Sequence, residues 1–289
     1  QPALAASIQA MADADRAAAA KGGREAGLAA ARAVFYEGDL AVEMVNHVAA
    51  CGGLLSREDL AGFSVDVERP VTAPFGDWTV AGCGPWCQGP MLLQALRIAE
   101  RFDLRALGRN TADYVHVLCE TLKRAAWDRD RHYGDPKFID VPVEALLSAD
   151  RARRHAATIH PDRATNGGED GPEIAAKADL AVDGSSMDTS YVCAVDREGN
   201  AFSATPSDAP HHAPVSPALG FIVSARGSQS WTDTTHPASV APGKRPRLTP
   251  NPALAIGPGG RVMPFGSPGG DVQTQAMLQG FLNRVVFGM

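Results

Sequence analysis

The chain reads as mainly helical up to one short segment and as mainly β after it, with two strand-like runs before that segment and one closing helix after it. Between the two lie Asn166-Gly167-Gly168-Glu169-Asp170-Gly171-Pro172, polar and glycine-rich, and the turn-like Asp183-Gly184-Ser185-Ser186-Met187. Such a stretch reads as an exposed, protease-sensitive or self-cleaved linker. Helices, then strands, then a closing helix suit sheets covered by helical layers rather than a barrel.

Helices are predicted over 3–21, with Leu4, Ile8 and Met11 at helical spacing, over 25–36 with Gly38 as a stop, and over 40–50 before Gly52-Gly53. Ser56 caps a further helix whose first turn carries Glu58 and Asp59. Two strands are expected at 65–75 and 78–83. Gly89-Pro90 opens a helix through Phe102, Asn110 or Thr111 caps a longer one through about Tyr133, and 142–160 reads as helical. Further on, 189–196 and 201–205 flank the turn Arg197-Glu198-Gly199-Asn200 as a hairpin. A third strand is expected at 219–224, a second hairpin at 253–256 and 262–265, and an amphipathic helix at 271–287.

Composition sets outer bounds. With 289 residues, 45% hydrophobic and 21% charged, the chain can bury a core without disulfide or metal staples. The longest uncharged run, 209–225, holds Pro210, Pro214 and Pro217 and two histidines, so it is not a membrane span. A net charge of −6 disfavours non-specific nucleic-acid binding, and Lys244-Arg245-Pro246-Arg247 is too short for a phosphate-tracking stripe. The cysteines are five, an odd number, without a Cys-x-x-Cys pair, so neither a disulfide framework nor a zinc knuckle is indicated. Cys83 and Cys87 are close enough in sequence to pair, which leaves their redox state open. Asp208, His211 and His212 sit in a proline-rich loop without an evident fourth ligand and read as solvent-exposed, so no metal or other cofactor is expected. The chain begins at Gln1 without a signal peptide; something upstream is expected to have been removed, and the compartment stays open.

No Gly-x-Ser-x-Gly elbow, phosphate loop or His-Glu-x-x-His occurs. Two features survive. One is Met187-Asp188-Thr189-Ser190-Tyr191, where the linker runs straight into a strand. The other is Gly266-Ser267-Pro268-Gly269-Gly270-Asp271, a Gly-Gly turn opening a helix. Such a turn presents backbone N–H groups that suit a tetrahedral oxyanion, and it equally suits a plain tight turn.

The run from Asp188 to Ala201, Asp-Thr-Ser-Tyr-Val-Cys-Ala-Val-Asp-Arg-Glu-Gly-Asn-Ala, resembles the start of the small subunit of γ-glutamyltranspeptidases. Further similar stretches follow the family's order: Gly52 to Leu60, Tyr114, Lys123 to Asp128, Tyr133-Gly134-Asp135-Pro136, Pro242 to Pro246, and Gly266 to Gly270. Members of the family are longer at both ends, so the chain resembles an internal portion of a precursor. The resemblance implies an α+β N-terminal-nucleophile hydrolase fold, an αββα sandwich of two stacked antiparallel sheets between helical layers. Residues 1–188 would be the mainly helical C-terminal part of the large-subunit region. Residues 189–289 would be the β-rich small-subunit region, both within one intertwined domain.

The resemblance also implies roles. The precursor would cleave itself between Asp188 and Thr189, giving a heterodimer with Thr189 as nucleophile. Ser207, eighteen residues on, matches a second hydroxyl that holds the threonine, and Gly269 and Gly270 match the oxyanion donors. The expected partners are a small-molecule amide, water or an amine as acceptor, and the N-terminal part of the precursor; nucleic acid and membrane are not among them. A free α-amine on Thr189 makes chemical sense. With a pKa near 7.8, on the order of a tenth of it is neutral at pH 7, against fewer than one lysine side chain in a thousand. It can therefore take the hydroxyl proton without heavy tuning.

The substrate side departs from the family. Leu248 and Thr249 stand where two serines hold the glutamyl α-carboxylate, and Ser224-Ala225-Arg226-Gly227-Ser228-Gln229 replaces a stretch with carboxylates for the α-amine. Thr249, Leu248, Ser228 and Gln229 are the expected substrate contacts. Three readings follow: a γ-glutamyl or related amidohydrolase and acyltransferase, an acylase for non-glutamyl amides such as a β-lactam side chain, or a non-catalytic or incomplete member.

Overall fold

Two glycines interrupt the alanine-rich start. Gly23 adopts a left-handed φ of 78° inside helix α1 (Pro2–Tyr36), so the two helices expected from the sequence abut across a kink. The protein was analysed as a computed structural model, which describes residues 1–165, 189–208 and 213–289; the linker expected at 166–187 and the Asp188 side of the cleavage bond lie outside them, as do His211 and His212. The chain forms two units, Gln1–Val67 with Ala209–Ala225, and Glu68–Asp208 with Arg226–Met289.

In the first unit, helices α2 (Asp39–Ala50) and α3 (Arg57–Ala61) follow α1. Ser56 and Asp59 form a reciprocal capping box at the start of α3, as the sequence predicts. Ala41, Met44 and Leu219 make the buried centre, and Phe35 stacks on Phe221 at 5.9 Å. The strand expected at 219–224 does not form. Gly220 turns the chain with φ 76°, the Leu219 carbonyl accepts from Ser7 Oγ at 2.9 Å, and only a single bridge, Val215 with Ile222, remains.

The second unit is built on an antiparallel sheet in the order β1 (Val71–Phe75), β2 (Trp78–Gly82), β5 (Ala253–Ile256), β6 (Val262–Phe265). The first strand starts at Val71 and not at 65 because Pro70 offers no N–H to a ladder; Val65 and Val67 are exposed. Alternate residues Ala73, Phe75, Val80, Ala253 and Ala255 are buried, and they face helices α4 (Gly89–Ala99), α6 (Ala112–His132) and α9 (Val272–Val285). Phe281 of α9 is the hub, within 5.5 to 6.1 Å of the rings of Phe265, Phe75 and Trp78. Thr111 caps α6. The helix expected at 142–160 is broken into α7 (Val143–Leu146) and α8 (Ala149–Ala157), because Ser148 caps the second piece through the Arg151 N–H. A short helix, α5 (Leu104–Leu107), was not expected. A two-stranded hairpin, β3 (Val192–Val195) and β4 (Ala201–Ala204), lies against β5 and β6. Its Val192, Val195 and Phe202 are exposed.

Helix α6 buries charge as well as apolar surface. Asp128 accepts from Arg151, His155 and Gln94, and Glu120 from Lys123 (2.6 Å), Arg124 (2.8 Å) and Thr165. Burial alone would raise the Glu120 pKa, but the hydrogen bonds from Lys123, Thr165 and Arg124 outweigh it and bring it down to about 2. A depressed carboxylate contributes stability above its unfolded pKa and loses it as pH falls through its folded one. Urea melts at successive pH values between 5 and about 2 should therefore show the wild type losing stability more steeply than Glu120→Gln. Equal acid slopes in the two proteins would contradict this account.

Candidate functional site

A side-chain-capped turn sets the geometry of the site. Asp196 accepts from the Asn200 backbone N–H at 2.8 Å and from its Nδ2 at 2.7 Å, and Gly199 takes a left-handed φ of 87°. This turn fixes a register that pairs Val192 with Ala204 and Val195 with Ala201. Three residues further along each strand, the same register brings Thr189 opposite Ser207 as an isolated antiparallel bridge. The Ser190 N–H donates to the Pro206 carbonyl at 3.0 Å, and Thr189 Oγ1 lies 2.7 Å from Ser207 Oγ, a hydrogen bond that either hydroxyl can donate. A one-residue slip would put the two on opposite faces. Arg226 Nη2 donates to the same Ser207 Oγ.

The glycine turn is held by a second set of contacts. Gly269 and Gly270 have φ of 114° and 54°, conformations that favour glycine. The Val272 N–H donates to the Gly269 carbonyl at 2.9 Å and the Gln273 N–H to that of Gly270 at 3.3 Å. A side chain added at Gly270 would meet nothing within 4 Å, so the turn borders open space. Behind it sits Gln88, fully buried. Its Nε2 donates to the carbonyls of Thr249 (3.0 Å) and Gly270 (3.4 Å), and its Oε1 accepts from Arg129 (3.0 Å) and Thr274 (3.5 Å). Arg129 also binds Asp271 at 2.8 Å. Burial works against the Arg129 charge, but Asp271 and Asp130 more than restore it. Arg247 is the opposite case: burial and the neighbouring Arg129 push its pKa down.

A 3₁₀ turn, Arg226–Gln229, joins the two groups. Arg226 reaches Ser207 from one end, and Gln229 Nε2 lies 3.5 Å from Thr249 Oγ1 at the other. The ring of Tyr191, two residues after Thr189, lies so close over Gly266 that an added Cβ would sit 2.3 Å from it, which turns this strand toward the segment leading to Gly269. Of the expected substrate contacts, Thr249 is buried and Gln229 touches it, whereas Ser228 is exposed. Leu248 is anchored through its backbone, its N–H donating to the Trp86 carbonyl at 2.8 Å. No described hydrogen bond links Thr189 or Ser207 to Gly269 or Gly270. Cys83 and Cys87 lie side by side as free thiols. Among the described residues no cluster of three His, Cys, Asp or Glu side chains is placed to hold a metal ion, and no helix is long and apolar enough to cross a membrane.

A family model for gamma-glutamyltranspeptidase matches residues 1–289. The chain belongs to the γ-glutamyltranspeptidase family. It is 30% identical over 260 residues to a glutathione hydrolase-like YwrD proenzyme of Bacillus subtilis, covering 89% of this chain and 47% of that protein. The solved structure of LmbA2991HD superposes with a TM-score of 0.80 at 33% identity, over 98% of this chain and 51% of that one. A cephalosporin acylase from Bacillus halodurans superposes at 0.74 and 25% identity, over 94% and 47%. The chain thus spans about half the length of these relatives. Its α+β fold is that of the N-terminal-nucleophile hydrolases.

Reading the sequence singled out Thr189, Ser207 and the glycine turn but gave no role to Gln88, Arg129 or Arg226. Gln88 precedes a helix-opening Gly-Pro and looks like any turn amide; only its burial between two loops gives it weight. Arg226 carried one signal, a cation in a stretch whose family counterpart has its carboxylates at the places of Ser228 and Gln229. Truncating Gln88 would strand the buried Thr249 carbonyl and take one acceptor from the buried Arg129, each worth about 1–3 kcal/mol when left unpaired. Urea unfolding of Gln88→Ala should therefore show a loss of roughly 2–4 kcal/mol, large for one side chain. A loss within 0.5 kcal/mol of wild type would mean that the amide does not hold the loops.

Proposed function

We propose that the chain carries the nucleophile region of a threonine amidohydrolase and acyltransferase that activates itself by cleaving between Asp188 and Thr189. The observation that carries this reading is the Thr189–Ser207 hydroxyl pair at 2.7 Å, held in strand register directly after the linker. In self-cleavage Thr189 Oγ1 attacks the Asp188 carbonyl. The peptide C–N bond gives way to an ester, and water opens the ester to the Asp188 carboxylate and a free Thr189 α-amine. Residues 1–188 and 189–289 then belong to two subunits of one heterodimer, with the N-terminal part of the precursor completing the first.

In turnover the α-amine takes the Thr189 hydroxyl proton as Oγ1 attacks the amide carbon of the substrate. The Gly269 and Gly270 N–H groups stabilise the oxyanion, and Ser207 holds Oγ1 in line. The C–N bond breaks, the proton leaves on the amine, and water or a second amine opens the acyl–Thr189 ester. Thr249, Gln229, Ser228 and Leu248 border the acyl group. The family relatives bear names as different as glutathione hydrolase-like and cephalosporin acylase. The acyl group is accordingly set by the side chains of this site, not by its scaffold. The substrates are γ-glutamyl or related amides.

Mass spectrometry of the purified protein tests this reading. A fragment starting at Thr189 is expected, and Thr189→Ala should stay uncut and inactive. Ser207→Ala should hydrolyse anilide substrates about 10- to 100-fold more slowly, the scale of one strong hydrogen bond lost in the transition state. A wild type that remains intact, with Thr189→Ala equally active, would sink the mechanism.

A further inference from the structure

Two nucleophiles of the second unit take no part in the proposed turnover. Cys83 and Cys87 are free thiols, Cys83 half-buried and Cys87 only 1% exposed. The loop between β2 and α4 presses them together. A Cβ on Gly82 would lie 3.1 Å from the Gly89 Cα, and one on Gly89 would lie 2.0 Å from the Cys83 carbonyl oxygen. The chain therefore leaves β2 and enters α4 through one narrow neck, in which Gly89 admits no side chain. Inside the neck the Cys87 N–H donates to the Gly84 carbonyl at 3.0 Å, which closes a tight turn between the two thiols. The Cys87 S–H donates to the Cys83 sulfur. The loop is pinned from outside as well. Trp86 Nε1 donates to Glu68 at 2.9 Å, the Arg245 guanidinium covers the indole at 4.8 Å, and the Trp86 carbonyl accepts from the Leu248 N–H.

The two thiols differ in reactivity. The hydrogen bond from Cys87 holds the Cys83 thiol below the usual thiol range, whereas burial pushes Cys87 well up. A thiolate that solvent reaches, with a buried thiol beside it to resolve the product, has both halves of an exchange site. We propose that Cys83 and Cys87 form a reversible dithiol site that exchanges with low-molecular-weight disulfides and, when closed, loosens the hold of Gln88 on the glycine turn. The Cys83 thiolate attacks one sulfur of R–S–S–R, the mixed Cys83 disulfide forms, and the first RS⁻ leaves and takes up a proton. Cys87 then gives its proton to water and attacks the Cys83 sulfur, and the second RS⁻ leaves. Two electrons pass to R–S–S–R, so the protein loses two hydrogens and two RSH result. Closing turns a sulfur–sulfur contact into a bond of about 2.05 Å. It draws Cys87, and with it Gln88, toward Cys83. The Gln88 amide meets the Gly270 carbonyl at 3.4 Å, the long end of a hydrogen bond, so this contact is the first that a shift breaks. The effect on turnover rests on the glycine turn serving the proposed reaction; the exchange itself does not.

The test equilibrates the purified protein in glutathione buffers of stepped oxidised-to-reduced ratio, blocks the remaining thiols and weighs the tryptic peptides. The peptide that carries both Cys83 and Cys87 should lose two hydrogens and gain no glutathione. It should do so at a ratio about tenfold lower than the one at which the exposed Cys51, Cys119 and Cys193 take up glutathione, because its second step is intramolecular. In Cys87→Ser, Cys83 should keep one glutathione instead; in Cys83→Ser the peptide should stay unchanged. Closing should slow anilide hydrolysis by the wild type about tenfold or more and quicken hydrogen exchange over residues 269–273. Dithiothreitol should reverse both effects, and Cys83→Ser should show neither. A wild-type peptide that keeps both hydrogens while the exposed cysteines carry glutathione overturns the inference. So does closing that leaves hydrogen exchange over 269–273 and hydrolysis unchanged. A reduced protein that hydrolyses no anilide overturns the proposed function, and the peptide masses with the hydrogen exchange then decide the thiol site.

Discussion

The candidate site depends on one strand register. Thr189 and Ser207 are eighteen residues apart, yet their hydroxyls touch because the chain folds back at Asp196–Asn200 and keeps step for the length of the hairpin. Only an even, antiparallel return puts two side chains on one face at this distance from the turn. The contact also marks where regular pairing thins out: the ladder ends at Val192 and Ala204, and Thr189 and Ser207 meet as an isolated bridge beyond it. The hydroxyl pair thus lies past the continuous ladder but still inside its register.

The second constraint acts from behind. Gln88 shares one amide between the loop that carries Thr249 and the turn that carries Gly270, and its oxygen ends on Arg129, which in turn holds Asp271. Both ends of the Gln88 amide find partners there, which is the condition for burying a glutamine against the core. The glycine turn is thereby mounted on α4, α6 and α9, the helices that cover the four-stranded sheet. Rigid support of this kind suits backbone donors that must be in place before charge develops.

Local chemistry was legible where one residue decides it. Ser56 was readable as a cap and Thr111 as one of two candidates with Asn110, the Gly-Pro at 89–90 as a helix start, and the hairpin at 253–265 to the residue, because each signal lies within a few positions of its effect. What was not legible needed partners far away in sequence. Leu219 to Ser224 has the composition of a strand, but Gly220 and the Ser7 hydroxyl, more than 200 residues upstream, make it a turn. Val65 and Val67 look like strand residues and are exposed because Pro70 delays the ladder. The site divides in the same way. Thr189 and Ser207 were picked out through the family resemblance, whereas Gln88 and Arg226 acquire meaning only when separate loops are brought onto them.

The scaffold and the recognition groups of this chain answer to different constraints. Hairpin register, glycine conformations and the Gln88 bracket are demands of backbone geometry, and a family can hold them while its members change what they bind. Leu248 and Thr249, by contrast, stand where the family pattern has two serines, a difference of side-chain chemistry and not of backbone. Arg226 shows the difference: the 3₁₀ turn holds its guanidinium against the Ser207 hydroxyl that pairs with Thr189, so a change at this position acts on the register contact itself.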